Sequence, residues 1–311
     1  MIRIFSSADN NTLKELTRIE DGAWIHLLDP TKEEINYVRD TLHIEDEFLK
    51  AALDEEEAVR IDSEDGQTLV LVDIPVVRPE RSSFLYTTLP LGIIITSKNI
   101  ITVCLEETSI IEDFWKKRMR GFDTCKKTRF LLQILYKNAG KYLQYLRQID
   151  KAQTQIENAL HKSMKNQELI QMLRIEKSLV YFATSLKANE VVLEKMMKTN
   201  IIKKYPDDTE LLEDVIIENK QAIEMGTIYR DILSGTMDAF ASVISNNLNI
   251  VMKLLASVTI VLSIPTLIAS LWGMNVSVPF ADNPNGFLIT CLISAGATLV
   301  SVVLLWRKKM F

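Results

Sequence analysis

The sequence predicts an α+β domain, a long helical stalk and, at the C-terminal end, two membrane-spanning helices. Three observations carry this. Residues 254–272 and 287–306 contain no formal charge, and each run has about the length a helix needs to cross roughly 30 Å of hydrocarbon. Residues 1–120 alternate short β-rich runs with turn residues. Residues 121–251 repeat apolar side chains at helical spacing. The expected division is an α/β domain over 1–120, a stalk over 121–251, a membrane domain over 252–306 with spans 252–272 and 287–306, and a basic tail over 307–311.

Composition narrows the function classes. The chain has 311 residues and a net charge of -5, with a mean hydropathy near neutral, as a mixture of soluble and membrane parts requires. No stretch interleaves basic and aromatic residues, which argues against nucleic acid. Cys104, Cys125 and Cys291 have the spacing of neither a disulfide framework nor a zinc site. No Walker-type lysine motif is present. Acidic residues fall on helix surfaces without a metal-ligand pattern, so no enzyme is expected. Met1 to Phe5 opens no long apolar run, and no signal peptide is expected.

In the α/β domain, 2–5 and 24–28 read as strands. Thr31 caps a helix, with Glu34 three residues on completing a capping box. A second helix is expected over 45–57. Strands are expected over 58–61, 68–77, 84–89, 93–96 and 101–104, with a hairpin turn at Asp65-Gly66. So few helices between strands favour a mixed or antiparallel sheet. Helix is expected from about 109 onward, with long segments over 128–164 and 166–200. After Pro206, a third helix has no strong stop before Gly273, because Gly226 and Gly235 only weaken it. From about 209 to the end of the first span that is roughly 100 Å of helix, which needs partner helices.

The charge flanks set the expected orientation. Lys253 precedes the first span, and Arg307, Lys308 and Lys309 follow the second, whereas the connecting loop holds only Asp282. Basic flanks stay inside, so both termini are expected to be cytoplasmic. Trp272 and Trp306 sit at the span ends, where interfacial aromatics belong.

Along the first span the small and polar residues share one face. Asn249, Met252, Ala256, Thr259, Ser263, Thr266, Ser270 and Gly273 recur at steps of three or four. Two readings fit this pattern: close packing against another helix, or a water-filled path lined by hydroxyls. One chain supplies two helices, too few to enclose such a path, so a pore needs a ring of identical subunits. The second span shows no comparable stripe and is expected to face lipid. A path without carboxylates suits an ion that keeps its water, as magnesium does.

Two segments carry a family resemblance. Pro265-Thr-Leu-Ile-Ala-Ser-Leu-Trp-Gly-Met-Asn275 resembles the end of the first membrane helix of the CorA-type magnesium transporters. Asp238-Ala-Phe-Ala-Ser-Val-Ile-Ser-Asn-Asn-Leu-Asn-Ile-Val-Met-Lys253 resembles that family's cytoplasmic approach to the same helix. The resemblance implies a homopentamer that takes up hydrated Mg2+ and is gated by cytoplasmic Mg2+. It implies a selectivity filter at Gly273, Met274 and Asn275. There, Asn275 offers its carbonyl to the ion's waters, Met274 packs beneath the ring, and Gly273 ends the helix in left-handed cap geometry. It places a polar ring at Asn249, a hydrophobic constriction at Met252 and Leu255, and a hydroxyl ring at Thr266. It makes Asp238 a ligand for regulatory Mg2+, with Asp73 or Asp62 as candidate partners.

Two departures stand out. Trp272 replaces the family's usual Tyr before the triad. The common Phe-Glu after it and the Met-Pro-Glu-Leu loop are absent, with Val276-Ser-Val-Pro-Phe280 in their place. Relatives with Ile for the triad Met are linked to zinc, so Met274 favours magnesium. Zinc, cobalt or nickel transport by the same architecture is the alternative within transport. His26, His43 and His161 all lie outside the spans, and Met252 is the one soft group at the stripe. A non-conducting sensor or scaffold is the alternative outside it.

Overall fold

The computed structural model describes the chain outside residues 9–11, 81–82, 117–121, 164–165, 200–201, 203–204, 281–282, 309 and 311. Asp282 and Lys309, each part of the charge argument above, therefore lie outside the described residues. The chain forms two units, Met1–Ser234 and Gly235–Phe311.

The first unit is built on a seven-stranded sheet. Its strands are β1 (Ile2–Ala8), β2 (Thr12–Leu16), β3 (Trp24–Leu28), β4 (Arg60–Glu64), β5 (Gln67–Glu80), β6 (Ser83–Ile95) and β7 (Ile100–Cys104). They lie in the order β2-β1-β3-β7-β6-β5-β4. Only β3 and β7 pair in parallel; the remaining neighbours are antiparallel. The mixed sheet is as expected, and β2 is an added edge strand. The Asp65-Gly66 turn joins β4 to β5, with φ of 46° and 76° at its two central residues. This is the left-handed pair that a two-residue hairpin demands.

Strand alternation makes two cores. On β5, Leu69 and Leu71 point to one face, while Val70, Val72 and Ile74 point to the other. The first face is covered by α1 (Lys32–Leu42) and α2 (Asp46–Ala51) through Ile35, Val38, Phe48 and Leu49. The second is covered by α3 (Ser109–Trp115), α4 (Lys127–Ser163) and α5 (Asn166–Lys198), and by the start of α6 (Pro206–Trp272). The Thr31 and Glu34 capping box of α1 is present.

Two expectations fail here. The helix expected over 45–57 ends at Ala51. Beyond it come Asp54, Glu55, Glu56 and Glu57, and carboxylates at a helix C-terminus oppose its dipole. The strands expected over 84–89 and 93–96 are one strand, β6. Pro90 interrupts the sequence pattern but not the strand. Residues 91–95 alone of β6 pair with β7, so the position of Pro90, which lacks an N–H, has no strand on that side.

The second unit holds the rest of α6 and α7 (Gly286–Arg307). Helix α6 continues through Gly226, Gly235 and Pro265 without interruption. Both apolar segments are long enough to span a membrane, and almost none of their residues is fully buried within the chain.

Candidate functional site

The polar stripe stays together on α6. Thr259, Ser263, Thr266 and Ser270, with Leu262, Leu267 and Leu271, line one shallow groove along the helix. All four hydroxyl residues are exposed. Three of them donate to the carbonyl four residues back: Thr259 Oγ1 to Leu255 at 2.8 Å, Ser263 Oγ to Thr259 at 2.7 Å, and Thr266 Oγ1 to Leu262 at 3.1 Å. With the proton turned into the helix, each oxygen presents lone pairs outward. The groove is a row of acceptors without a formal charge.

Toward the start of the span, Asn249, Met252, Leu255 and Ala256 continue the exposed surface, with Met252 and Leu255 56 % and 59 % exposed. Ser257 behaves differently. It is fully buried, and its hydroxyl is shared between Lys253 O at 2.8 Å and Met310 O at 3.2 Å. A lone serine in an apolar run gave no sequence signal for this contact with the chain's C-terminal end.

At the other end, α6 stops at Trp272, and the Gly273 N–H donates to Ala269 O at 2.9 Å. The left-handed cap expected at Gly273 is not formed, since Gly22 and Gly66 are the glycines with positive φ among the described residues. A Cβ there would be a tight contact, 3.2 Å from Ala269 O. Met274 and Asn275 follow, both exposed in the single chain. The loop is pinned back by Trp272 Nε1, which donates to Pro279 O at 3.1 Å. Its positive φ falls on Phe280, at 70°.

The expectation that the second span lacks a stripe is corrected. On α7, Gly286, Thr290, Ser294 and Thr298 recur every four residues and are half-buried. With Ala269 of α6 and Gly273 just beyond it they line a groove of about 1000 Å³ between the two spans. Thr290 and Thr298 also turn their hydroxyls onto their own helix, to Gly286 O and Ser294 O. This stripe therefore faces α6. The period of four was present in the sequence, diluted by the surrounding leucines and valines.

The three candidate regulatory acids stand in three different local settings. Asp238 is exposed on α6, where its carbonyl accepts from Ser242 Oγ at 3.0 Å. Asp62 accepts from Arg60 Nε at 2.6 Å. Asp73 sits at the sheet–helix interface, with its carboxylate accepting from Ser185 Oγ, which also bonds Thr88 Oγ1 at 2.9 Å. Burial pushes the Asp73 carboxyl above its ordinary value, against the lowering effect of Ser185. Among the described residues, no group of three or more His, Cys, Asp or Glu side chains gathers as a metal site.

A family model described as "CorA-like Mg2+ transporter protein" matches residues 20–309. The chain belongs to the CorA family. A cobalt/magnesium transport protein CorA from Methanocaldococcus jannaschii is 26 % identical over 295 residues, 92 % of this chain and 90 % of that one. A protein of the same description from Thermotoga maritima is 26 % identical over 232 residues, 70 % and 63 % of the two chains. The complete structure of the CorA magnesium transporter from Methanocaldococcus jannaschii superposes with a TM-score of 0.86. It is 25 % identical, and the match covers 98 % of this chain and 96 % of that chain. The chain thus has the architecture of a CorA-type Mg2+ transporter. It combines an α+β domain, a long helix and two C-terminal spans, and is a multi-pass membrane protein rather than an enzyme.

Proposed function

We propose that this chain takes up hydrated Mg2+ through a homo-oligomeric, channel-like pore lined by α6, with both termini cytoplasmic. The observation that carries this reading is the row of outward lone pairs on Thr259, Ser263 and Thr266. Waters held by a dication point their hydrogens outward and need acceptors. Hydroxyl oxygens already spent as donors suit that role, and they exert no formal charge that would trap the ion. The stripe is exposed in one chain, so enclosing it takes further copies, and a homopentamer is the ring the family resemblance supplies.

Asn275 at the end of α6 serves as the filter, its amide oxygen accepting from the same water shell, with Gly273 and Met274 below it. Met252 and Leu255 form a constriction that closes by dewetting. The inside-negative potential drives entry, supplying about 4.6 kcal/mol per 100 mV for two charges. Cytoplasmic Mg2+ bound at Asp238 against a carboxylate of another copy holds the pore closed. Asp73 is a poor partner there because its carboxylate is turned to Ser185. A filter that touches only the water shell also admits Co2+, the other ion in the names of the two relatives.

Purified protein in proteoliposomes under an imposed inside-negative potential tests the reading. Mg2+ influx should saturate, follow the potential and fall sharply in Asn275→Ala. Influx unchanged in Asn275→Ala would remove the filter assignment, and no influx in the parent protein would favour a sensor or scaffold.

A further inference from the structure

The outward faces of α5 and α6 in the first unit carry charge-inverted copies of one pattern. On α5, Lys177, Val180, Thr184 and Lys187 are exposed at steps of three, four and three. On α6, Asp214, Ile217, Gln221 and Glu224 are exposed at the same steps. Each seam goes on into exposed apolar residues: Leu173 and Val191 on α5, and Ile228 on α6. Alternating steps of three and four give the seam that one helix offers another. Val180 is 49 % exposed, and Ile217 is 61 % exposed. Lys177, Lys187, Asp214 and Glu224 make no ion pair among the described residues, although the Lys177 ammonium lies 5.5 Å from the Tyr181 ring centre.

These seams do not meet within the chain, which uses other faces for its own α5–α6 contact. Asn219 Nδ2 donates to Leu186 O at 3.1 Å, and Val192, Leu193 and Met196 share a core with Leu212 and Val215. That contact runs antiparallel: Leu186 is hydrogen-bonded to Asn219, and the later α5 residues Val192, Leu193 and Met196 join one core with the earlier α6 residues Leu212 and Val215.

We propose that the α5 seam of one subunit packs on the α6 seam of a second copy of this chain. The inference rests on the ring assembly proposed above and names a contact that builds it. A ring of identical subunits needs two different complementary surfaces on each, and a basic seam and an acidic seam satisfy that requirement. Rotation about an axis along α6 keeps a neighbour's α5 antiparallel to it. In that direction Lys187 meets Asp214 and Lys177 meets Glu224, while Thr184 lies opposite Ile217 and Leu173 opposite Ile228. Like seams, α5 on α5 or α6 on α6, would set equal charges together and are disfavoured.

The test uses the full chain, with exposed Cys125 and Cys291 replaced by Ser. Thr184→Cys and Ile217→Cys are placed on separately tagged copies and co-expressed in membranes. Oxidation should give a disulfide-linked dimer carrying both tags, absent when either variant is expressed alone. Lys177→Glu with Lys187→Glu should lower the linked fraction by about tenfold, and adding Asp214→Lys with Glu224→Lys on the other copy should restore it. Native mass of the purified parent protein separates the two ideas. A multimer without this cross-link overturns the seam and leaves the ring reading standing, whereas a monomer overturns both. A cross-link indifferent to charge reversal overturns the charge pairing.

Discussion

The carboxamide of Asn189 closes on the backbone of Asp73 from both sides. Its Oδ1 accepts from the Asp73 N–H at 2.9 Å, and its Nδ2 donates to the Asp73 carbonyl at 2.8 Å. The reason lies in the sheet. Strand β4 starts at Arg60, opposite Leu71, so the next peptide of β5 facing that edge, at Asp73, has no strand beside it. Asn189 of α5 stands in for the missing strand, and Asn138 Nδ2 and Tyr142 OH of α4 add donors to the same carbonyl at 2.8 and 3.3 Å. Replacing Asn189 with Leu leaves a buried N–H without its partner. We expect a loss of about 2–3 kcal/mol, read as a lower midpoint in chemical denaturation of the full chain in detergent. An unchanged midpoint would refute this role for Asn189.

His26 should make the first unit acid-sensitive. It is buried between Trp24 and Trp115, with ring centres 6.0 and 5.1 Å away, and shares a 2.9 Å hydrogen bond with Thr102. Burial, helped by the positive charges of Arg3 and the N-terminal ammonium, lowers its pKa to about 3. The folded value lies below the unfolded one, so its contribution is complete above about pH 6.5. It fades as pH falls toward 3, at roughly 1.4 kcal/mol per pH unit. Glu15, held low by its hydrogen bond with Arg3, adds acid loss of its own in any variant. The quantity to measure is therefore the difference between parent and His26→Gln. The parent's stability should fall more steeply from pH 6.5 to 4, and parallel curves would refute the assignment.

Gly92 of β6 makes a close approach to Ala52, the C-cap of α2. A Cβ on Gly92 would lie 2.8 Å from the Ala52 Cβ, closer than real Cβ atoms approach one another. Gly92→Ala should cost about 1–3 kcal/mol by forcing α2 outward. Ala52→Gly in the same chain should recover much of that loss, although it costs some stability alone. Additive losses in the double variant would show that the two positions do not share one contact.

Sequence periodicity reached the elements whose own residues decide them. The capping box at Thr31 and Glu34, the Asp65-Gly66 turn and the uncharged spans are local signals, and each sits where it was expected. What it missed depends on partners distant in sequence. The Pro90 position is tolerated because β7 is short, the Asp73 edge is sealed by Asn189, more than a hundred residues later, and the α7 stripe gains its meaning only opposite Ala269 and Gly273. At the candidate pore, the hydroxyl face could be read at three- and four-residue steps. The inward turn of each hydroxyl proton could not, because it depends on side-chain rotamers rather than on residue type.

The α6 stripe admits two roles, lining a pore or packing against another helix. A substitution at Thr266 decides between them where the inward hydroxyl turn does not, because the same turn occurs on α7. Thr266→Val keeps the shape and removes the outward acceptor oxygen. If Thr266 holds the ion's waters, Mg2+ influx into proteoliposomes should fall about fivefold, since one such hydrogen bond contributes about 1 kcal/mol. Assembly, measured by native mass, should not change. Ile260→Val, on a different face of the same helix, should leave influx within about twofold. If the stripe only packs against a neighbouring helix, the pattern reverses: influx per assembled particle is kept, and Thr266→Val weakens or strengthens the assembly. Because both proteins enter the same two measurements, either outcome assigns the stripe to one of its two roles.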